Sequence, residues 1–515
     1  MGLLAQRSYL QASGANLATD LARYGTAAQW RGVYYRGEKV GFTVSQTVPT
    51  DDGFELQEDG RLQMSLLGAT TPAVIKTTAR VDHVFALKSF DFSLDPGTGP
   101  LQLSGKVDGL TLSIEVRSLG STRREVRQLT EPPALMLNLA RRLARGGLTA
   151  GARHALMVFD PATLSNAPVL IDVSGREVVL AGGRPIPAFK VRMGYSGLTT
   201  TAWITDTGEI VREESPLGLM SVRETPEQAQ AMAVSSRVRA DMLEAAAIVP
   251  MLRTPIAEPT DVTRLRVEFN GVDMTDFQLA SSTQQFDGRV LEARDPRALV
   301  AGPVDPDLAR FLRPETFLES DDPEVIAEAE RIVKGVVGTR ARAERLVREV
   351  NAMLDKKPTI SVPSAREVLR TKVGDCNEHT ALYVAMARAL GIPARINVGL
   401  VMVRGAFYYH AWPEVWIDEG PTRGYWLPVD PTFNQFPADT THLRLLQGGL
   451  DKQTAILPLI GQLKLTVLEA DMDPNSTPVI VGREMSDAAD ARPLSLALPT
   501  RQLCGCWALP CRGTP

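Results

Sequence analysis

Between Arg31 and Glu214 the chain returns repeatedly to one device: a short run of alternating apolar and polar residues, broken by a turn that contains glycine. In "LTLSIEV" the residues Leu110, Leu112, Ile114 and Val116 fall on one face, with Thr111, Ser113 and Glu115 on the other. That period of two belongs to a half-buried strand and cannot present a continuous stripe on a helix. The preceding Asp108-Gly109 is a tight-hairpin signal, and Thr207-Gly208 in "AWITDTGEIVREE" and Gly37-Glu38 in "YYRGEKVGFTVSQTV" repeat it. Hairpins join antiparallel neighbours, so residues 31–224 are expected to form one large antiparallel β domain, interrupted by a helix in "PALMLNLARRLARG". Nothing in this region carries a catalytic pattern.

Around this domain the pattern changes. Residues 1–30 read as a short helical segment. Residues 225–319 read as a connector, with a helix over 225–247, three prolines in "VPMLRTPIAEPT", and a small β segment around "TRLRVEF" and "RVLEA". Residues 320–470 mix helices and strands. Residues 471–515 are polar, rich in proline and unpatterned, as in an extended or disordered tail. The fold class expected is α+β, with several domains in 515 residues.

Composition excludes some classes of function. The net charge is −4, with 56 basic and 60 acidic residues, so no global basic field would draw in nucleic acid. No apolar run approaches the roughly 18 residues that a membrane-spanning helix needs. Four cysteines in so long a chain are too few for a disulfide scaffold.

Three of those cysteines, Cys504, Cys506 and Cys511, crowd the tail; the fourth, Cys376, stands in "KVGDCNEHTALYVAMARALGIPAR". There Asp375 is an N-cap and Glu378 completes a capping box. Ala381, Leu382, Ala385, Ala389 and Leu390 follow at helical spacing, and Gly391 with Pro393 ends the helix. Cys376 is therefore the first helical residue, where unsatisfied N–H groups and the helix dipole favour a thiolate. Such a nucleophile needs a base, and the base needs an orienting group. "YYHAWPEVWI" alternates so that His410, Trp412, Glu414 and Trp416 share a face, and "GYWLPVDPTF" puts Trp426, Pro428 and Asp430 on one face of a second strand. Adjacent antiparallel strands would bring His410 beside Asp430.

"GDCNEHTALYVAMARALGIPAR", "HAWPEVW" and "WLPVDPTFN", in this order and spacing, resemble the transglutaminase-like superfamily, which belongs to the papain-like cysteine fold. The resemblance covers residues 320–445 and points to a bacterial multi-domain member. It implies Cys376 as nucleophile, His410 as general base and then acid, Asp430 as the residue that fixes the imidazole, and no metal or organic cofactor. The expected activity is acyl transfer on protein or peptide amides, leaning to hydrolysis. Protein-glutamine transamidation is the alternative; a non-catalytic scaffold whose β domain binds an envelope component is another. Related proteins suggest a periplasmic or envelope location, while "MGLLAQRSYLQASGANLATDLARYG" lacks the basic and then apolar order of a signal peptide. These two expectations conflict.

The remaining candidates are weaker. His379 shares the helix face of Cys376 and could compete as base. His442 in "THLRLL" reads as an ordinary loop or strand histidine. Trp412, Trp426 and Glu414 are candidates for the substrate cleft, against a plain reading as core and structural carboxylate. The tail cysteines lack zinc-site spacing. Asp471, Asp473 and Asn475 begin a calcium-like loop that fails at Ser476 and Gly482. Asn475-Ser476-Thr477 matches the glycosylation pattern.

Overall fold

The computed structural model describes residues 24–66, 69–95, 100–118, 121–195, 197–231, 246–357, 364–449 and 454–474. The N-terminal helical segment before residue 24, most of the 225–247 helix, the sequon and the tail cysteines lie outside the described residues. Two compact units emerge, one from the described residues up to 231 and one from residue 246 onward.

In the first unit fourteen strands form a single antiparallel sheet. Most strands pair with their neighbour in sequence, as hairpin turns dictate, and the sheet is joined in its middle by Gln29–Tyr35 pairing with Leu219–Glu224. Two of the expected hairpins are offset by one residue, and the third closes at Ile204–Ile210 around a longer loop that contains Thr207-Gly208. Asp108 pairs with Thr111, so the two-residue loop is Gly109-Leu110, and Leu110 is exposed instead of continuing the inward face. Likewise Tyr35 pairs with Glu38 around Arg36-Gly37, both at positive φ as a type I′ turn requires. The sheet's two edges are Ser121–Gln128 and Arg153–Asp160. The Ala134 N–H donates to the Met157 carbonyl and the Phe159 N–H to the Ala134 carbonyl, both at 2.8 Å, which covers part of the second edge. Helix Met136–Arg145 then lays Leu139, Ala140 and Leu143 on the strand residues Val158, Val169, Ile171, Val191 and Ala202.

In the second unit, helices α1 (Pro323–Ile332), α2 (Thr339–Met353), α3 (Ala365–Thr371) and α4 (Cys376–Ala389) accompany a five-stranded sheet. Its strands are β1 (Gly302–Pro303), β2 (Ala394–Val403), β3 (Ala406–Asp418), β4 (Arg423–Pro428) and β5 (Leu443–Gln447), in the order β1-β4-β3-β2-β5. Helix α4 is buried over most of its length, and Leu382, Val384, Ala385 and Met386 join Val325, Leu346, Val350, Val415 and Leu427 in one core. The small β segment expected in a connector belongs to this unit instead. Val262–Asn270 pairs with Val290–Arg294 on one side and with Lys464–Met472 on the other. That partner lies some two hundred residues away, beyond the reach of local patterning. Among the described residues no helix is long and apolar enough to cross a membrane.

Candidate active site

Helix α4 begins as its sequence dictates. The Asp375 side chain accepts from the Asn377 N–H at 3.0 Å, and Glu378 Oε2 accepts from the Asp375 N–H at 2.8 Å. This reciprocal box needs Gly374: a Cβ there would stand 2.2 Å from Glu378 Cβ. Cys376, a half-buried reduced thiol, is thereby fixed as the first residue of a 14-residue helix. One turn on, the Thr380 hydroxyl donates to the Ala411 carbonyl at 3.0 Å, tying the helix to β3 next to His410.

His410 is 3% exposed, and its Nε2 lies 2.7 Å from Asp430 Oδ2. Glu414 pairs with Pro428 across β3 and β4, which carries the chain back so that Asp430 leaves the sheet beside His410. The other carboxylate oxygen, Oδ1, accepts from the N–H groups of Thr432 at 2.6 Å and Phe433 at 3.1 Å. Asn351 of α2 holds this turn by donating to the carbonyls of Pro431 and Thr432. Burial alone would raise the Asp430 pKa, but the charges and hydrogen bonds of His410 and His442 outweigh it and hold the group well below the usual carboxylate range. With Nε2–H committed to Asp430, a neutral His410 presents Nδ1 as its acceptor. That atom is buried and has no hydrogen-bond partner.

One expectation changes. His442, read as an ordinary histidine, stands at the start of β5 with Nε2 3.0 Å from Asp430 Oδ2 and Nδ1 3.1 Å from Asp439 Oδ1. Burial disfavours its charge, yet Asp439 and Asp430 raise its pKa to about 10. The cleft candidates, in contrast, are interior residues. Trp412 is 1% exposed, stacks on His410 with centroids 5.9 Å apart, and meets His442 edge-on. It fits beside Gly399, which pairs with His410 on β2 and offers no side chain; a Cβ there would lie 2.9 Å from the indole. Trp426 donates its N–H to Asp305 and packs under Arg395, and Glu414 accepts two bonds from that same Arg395. His379 is also fully buried; its Nδ1 lies 2.6 Å from the Asp375 carbonyl, and burial lowers its pKa, leaving it a neutral ring held to its own helix.

Sequence reasoning also passed over Phe433, whose ring lies 5.2 Å from His410, and Asn351; "DPTFN" and a polar residue amid helix α2 were the available signals. His410, Asp430 and His442 bring ligand-type atoms within 4.8 Å of one another. Contacts of 2.7 and 3.0 Å are hydrogen bonds. Ligands bound to a tetrahedral cation at about 2.0 Å stand roughly 3.3 Å apart, and they must offer lone pairs rather than N–H groups. The cluster fits proton sharing better than metal binding.

Residues 327–431, a segment that contains Cys376, His410 and Asp430, match the transglutaminase-like superfamily. No curated protein matches the chain. Among solved structures, a proposed cysteine protease from Cytophaga hutchinsonii is 16% identical, with a TM-score of 0.28, over 41% of this chain and 89% of its own. A β-barrel-like domain of unknown function from Brucella abortus is 12% identical, with a TM-score of 0.30, over 38% of this chain and 95% of its own. The periplasmic domain of TgpA from Pseudomonas aeruginosa is 19% identical, with a TM-score of 0.22, over 34% of this chain and 88% of its own. What the chain shares with the transglutaminase-like superfamily is thus the similarity of residues 327–431, which lie in its C-terminal unit.

Proposed function

We propose that the protein is a cysteine-dependent hydrolase of protein or peptide amides, built on a papain-like core. The observation that carries this reading is the buried His410–Asp430 pair, with Nδ1 of the imidazole left without a partner beside a helix that starts at Cys376. In the proposed reaction the Cys376 thiolate adds to the amide carbonyl carbon while the helix-terminal N–H groups stabilise the oxyanion. The C–N bond breaks as His410 gives its proton to the leaving amine, which leaves a thioester. His410 then takes a proton from water, whose oxygen adds to the thioester carbonyl, and the acid departs from the regenerated thiol. Asp430 keeps Nε2 protonated and Nδ1 directed at the proton transfer throughout.

The test is the rate of Cys376 alkylation by iodoacetamide against pH, in wild type and His410→Ala, with the tail cysteines replaced. An activated pair gives a thiol titrating well below pH 8, a feature lost in His410→Ala, and hydrolysis of a peptide amide lost in Cys376→Ser. A slow thiol titrating near 8.5 and indifferent to His410 would overturn the reading and favour the scaffold alternative. Incorporation of a labelled amine into a glutamine-containing acceptor, with little free acid, would turn the assignment to transamidation.

A further inference from the structure

The His410–Asp430 pair does not stand alone. Asp430 Oδ2 lies within hydrogen-bond distance of two imidazoles that come from the two strands flanking β2: His410 on β3 and His442 just ahead of β5. His442 is itself held at both ring nitrogens, Nε2 by Asp430 and Nδ1 by the Asp439 carboxylate at 3.1 Å and carbonyl at 3.2 Å. A carboxylate only accepts, so each nitrogen must donate, and a ring that donates from both nitrogens is an imidazolium. Asp439 is in turn fixed by the N–H and hydroxyl of Thr441 and by the Gln435 amide. The indole of Trp412 and the ring of Phe433 close the remaining sides of His442 with apolar surface. The titratable groups facing it are Asp430, Asp439 and, with ring centroids 5.7 Å apart, His410; His379 is coupled to the cluster through the charge of Asp430.

We propose that His442 is a positioning residue of the catalytic pair: a buried cation, clamped between Asp430 and Asp439, that holds Asp430 in place and shares its charge, so that the working pH of the Cys376–His410 pair is set by a second histidine. The inference rests on the acyl-transfer reading above. Its physical content is directional. A fixed positive charge close to His410 opposes a second cation there and favours an anion beside it. Removing that charge while Asp439 stays ionised moves the whole profile to higher pH, by about one to two units for a charge at this separation in a protein interior.

The experiment is the alkylation-rate profile of Cys376 from pH 4 to 10 in wild type, His442→Gln, and His442→Gln combined with Asp439→Asn, with the tail cysteines replaced. His442→Gln should displace both limbs to higher pH, and the double variant, which restores the charge balance, should bring them back toward wild type. A purely structural histidine predicts lower rates or lower stability with unmoved limbs, and that result would overturn the proposal. If wild type is activated, His410→Ala abolishes the activation and His442→Gln leaves the profile in place, the acyl-transfer reading survives and this inference alone fails. A wild-type thiol with no activation overturns both. Should the variants not fold, nitrogen-15 spectra of the histidine rings decide the matter in Cys376→Ala protein, where no thiolate partner charges His410. One of the five imidazoles must stay doubly protonated at pH 8.5, and five neutral rings would refute the clamp.

Discussion

The N-terminal fourteen-stranded sheet and the five-stranded sheet of the C-terminal unit use the same hydrogen-bonding grammar to opposite ends. In the first, strands follow one another by hairpins, and Leu87–Asp95 or Leu101–Asp108 bury residues on one side while exposing or half-exposing those on the other. Charges on such strands meet water. In the second, β3 is buried on both sides from His410 to Ile417, and β5 crosses back to pair with β2 rather than with its predecessor in sequence. A sheet built almost wholly by successive turns, with one long-range join, spreads most of its polar side chains over a wet surface, Arg31 and Asp59 excepted. A sheet with a crossover brings the interior of β3, the end of β4 and the start of β5 to one dry place, where a single carboxylate can govern two imidazoles.

Breaking one carboxylate in each sheet sharpens this contrast most. Asp430→Ala leaves two buried imidazoles and the N–H groups of Thr432 and Phe433 without their acceptor. The C-terminal unit should lose about 3–5 kcal/mol, read as a lower unfolding midpoint in denaturant, together with the activation of Cys376. Glu115→Gln removes a carboxylate that pairs with Arg117 and Arg124 on an exposed strand face, and its midpoint should match wild type. Equal shifts for the two variants would erase the distinction between the sheets.

Alkaline pH offers a gentler probe. The His442 pKa is raised to about 10, so the stability it contributes is complete below its ordinary value near 6.5 and drains away as pH rises toward 10. Asp430 is shifted the other way, so its contribution holds above the ordinary carboxylate range and is lost only in strong acid. The melting temperature of the C-terminal unit should therefore decline between pH 6.5 and 9.5, by an amount equivalent to a few kcal/mol at most. His442→Gln should flatten that decline while lowering the starting value. A wild-type unit with constant stability across that range would remove the charged histidine from the account.

The sequence made legible whatever is encoded locally. The Asp375–Glu378 box, the first-turn position of Cys376, the hairpin meander and the juxtaposition of His410 with Asp430 all follow from spacings of a few residues on one or two neighbouring elements. His442 stayed hidden because β5 reaches the site through pairing with β2, and "THLRLL" holds no trace of that crossover. The pairing of Val262–Asn270 with Lys464–Met472 was hidden for the same reason. For Trp412 and Trp426 the strand alternation left core and cleft side by side, because it names two faces without saying that both are interior.

Two glycines carry the comparison to its smallest scale. Gly109 sits in a hairpin of the N-terminal sheet at φ +58°, and a Cβ added there would meet nothing within 4 Å. Only backbone conformation is at stake, so Gly109→Ala should cost about 1 kcal/mol. Gly109→Asn should recover most of that, since asparagine tolerates the left-handed region. Gly374 has no positive φ; its requirement is space, because the Glu378 side chain folds over it to reach the Asp375 N–H. Gly374→Ala and Gly374→Asn should therefore be equally unfavourable, displacing Glu378, loosening the first turn of α4 by about 1–2 kcal/mol and slowing alkylation of Cys376. Chemical denaturation of the four variants separates the two causes. An asparagine that rescues position 374 as it rescues 109 would mean that backbone conformation, and not the capping carboxylate, keeps glycine in front of the Asp-Cys pair.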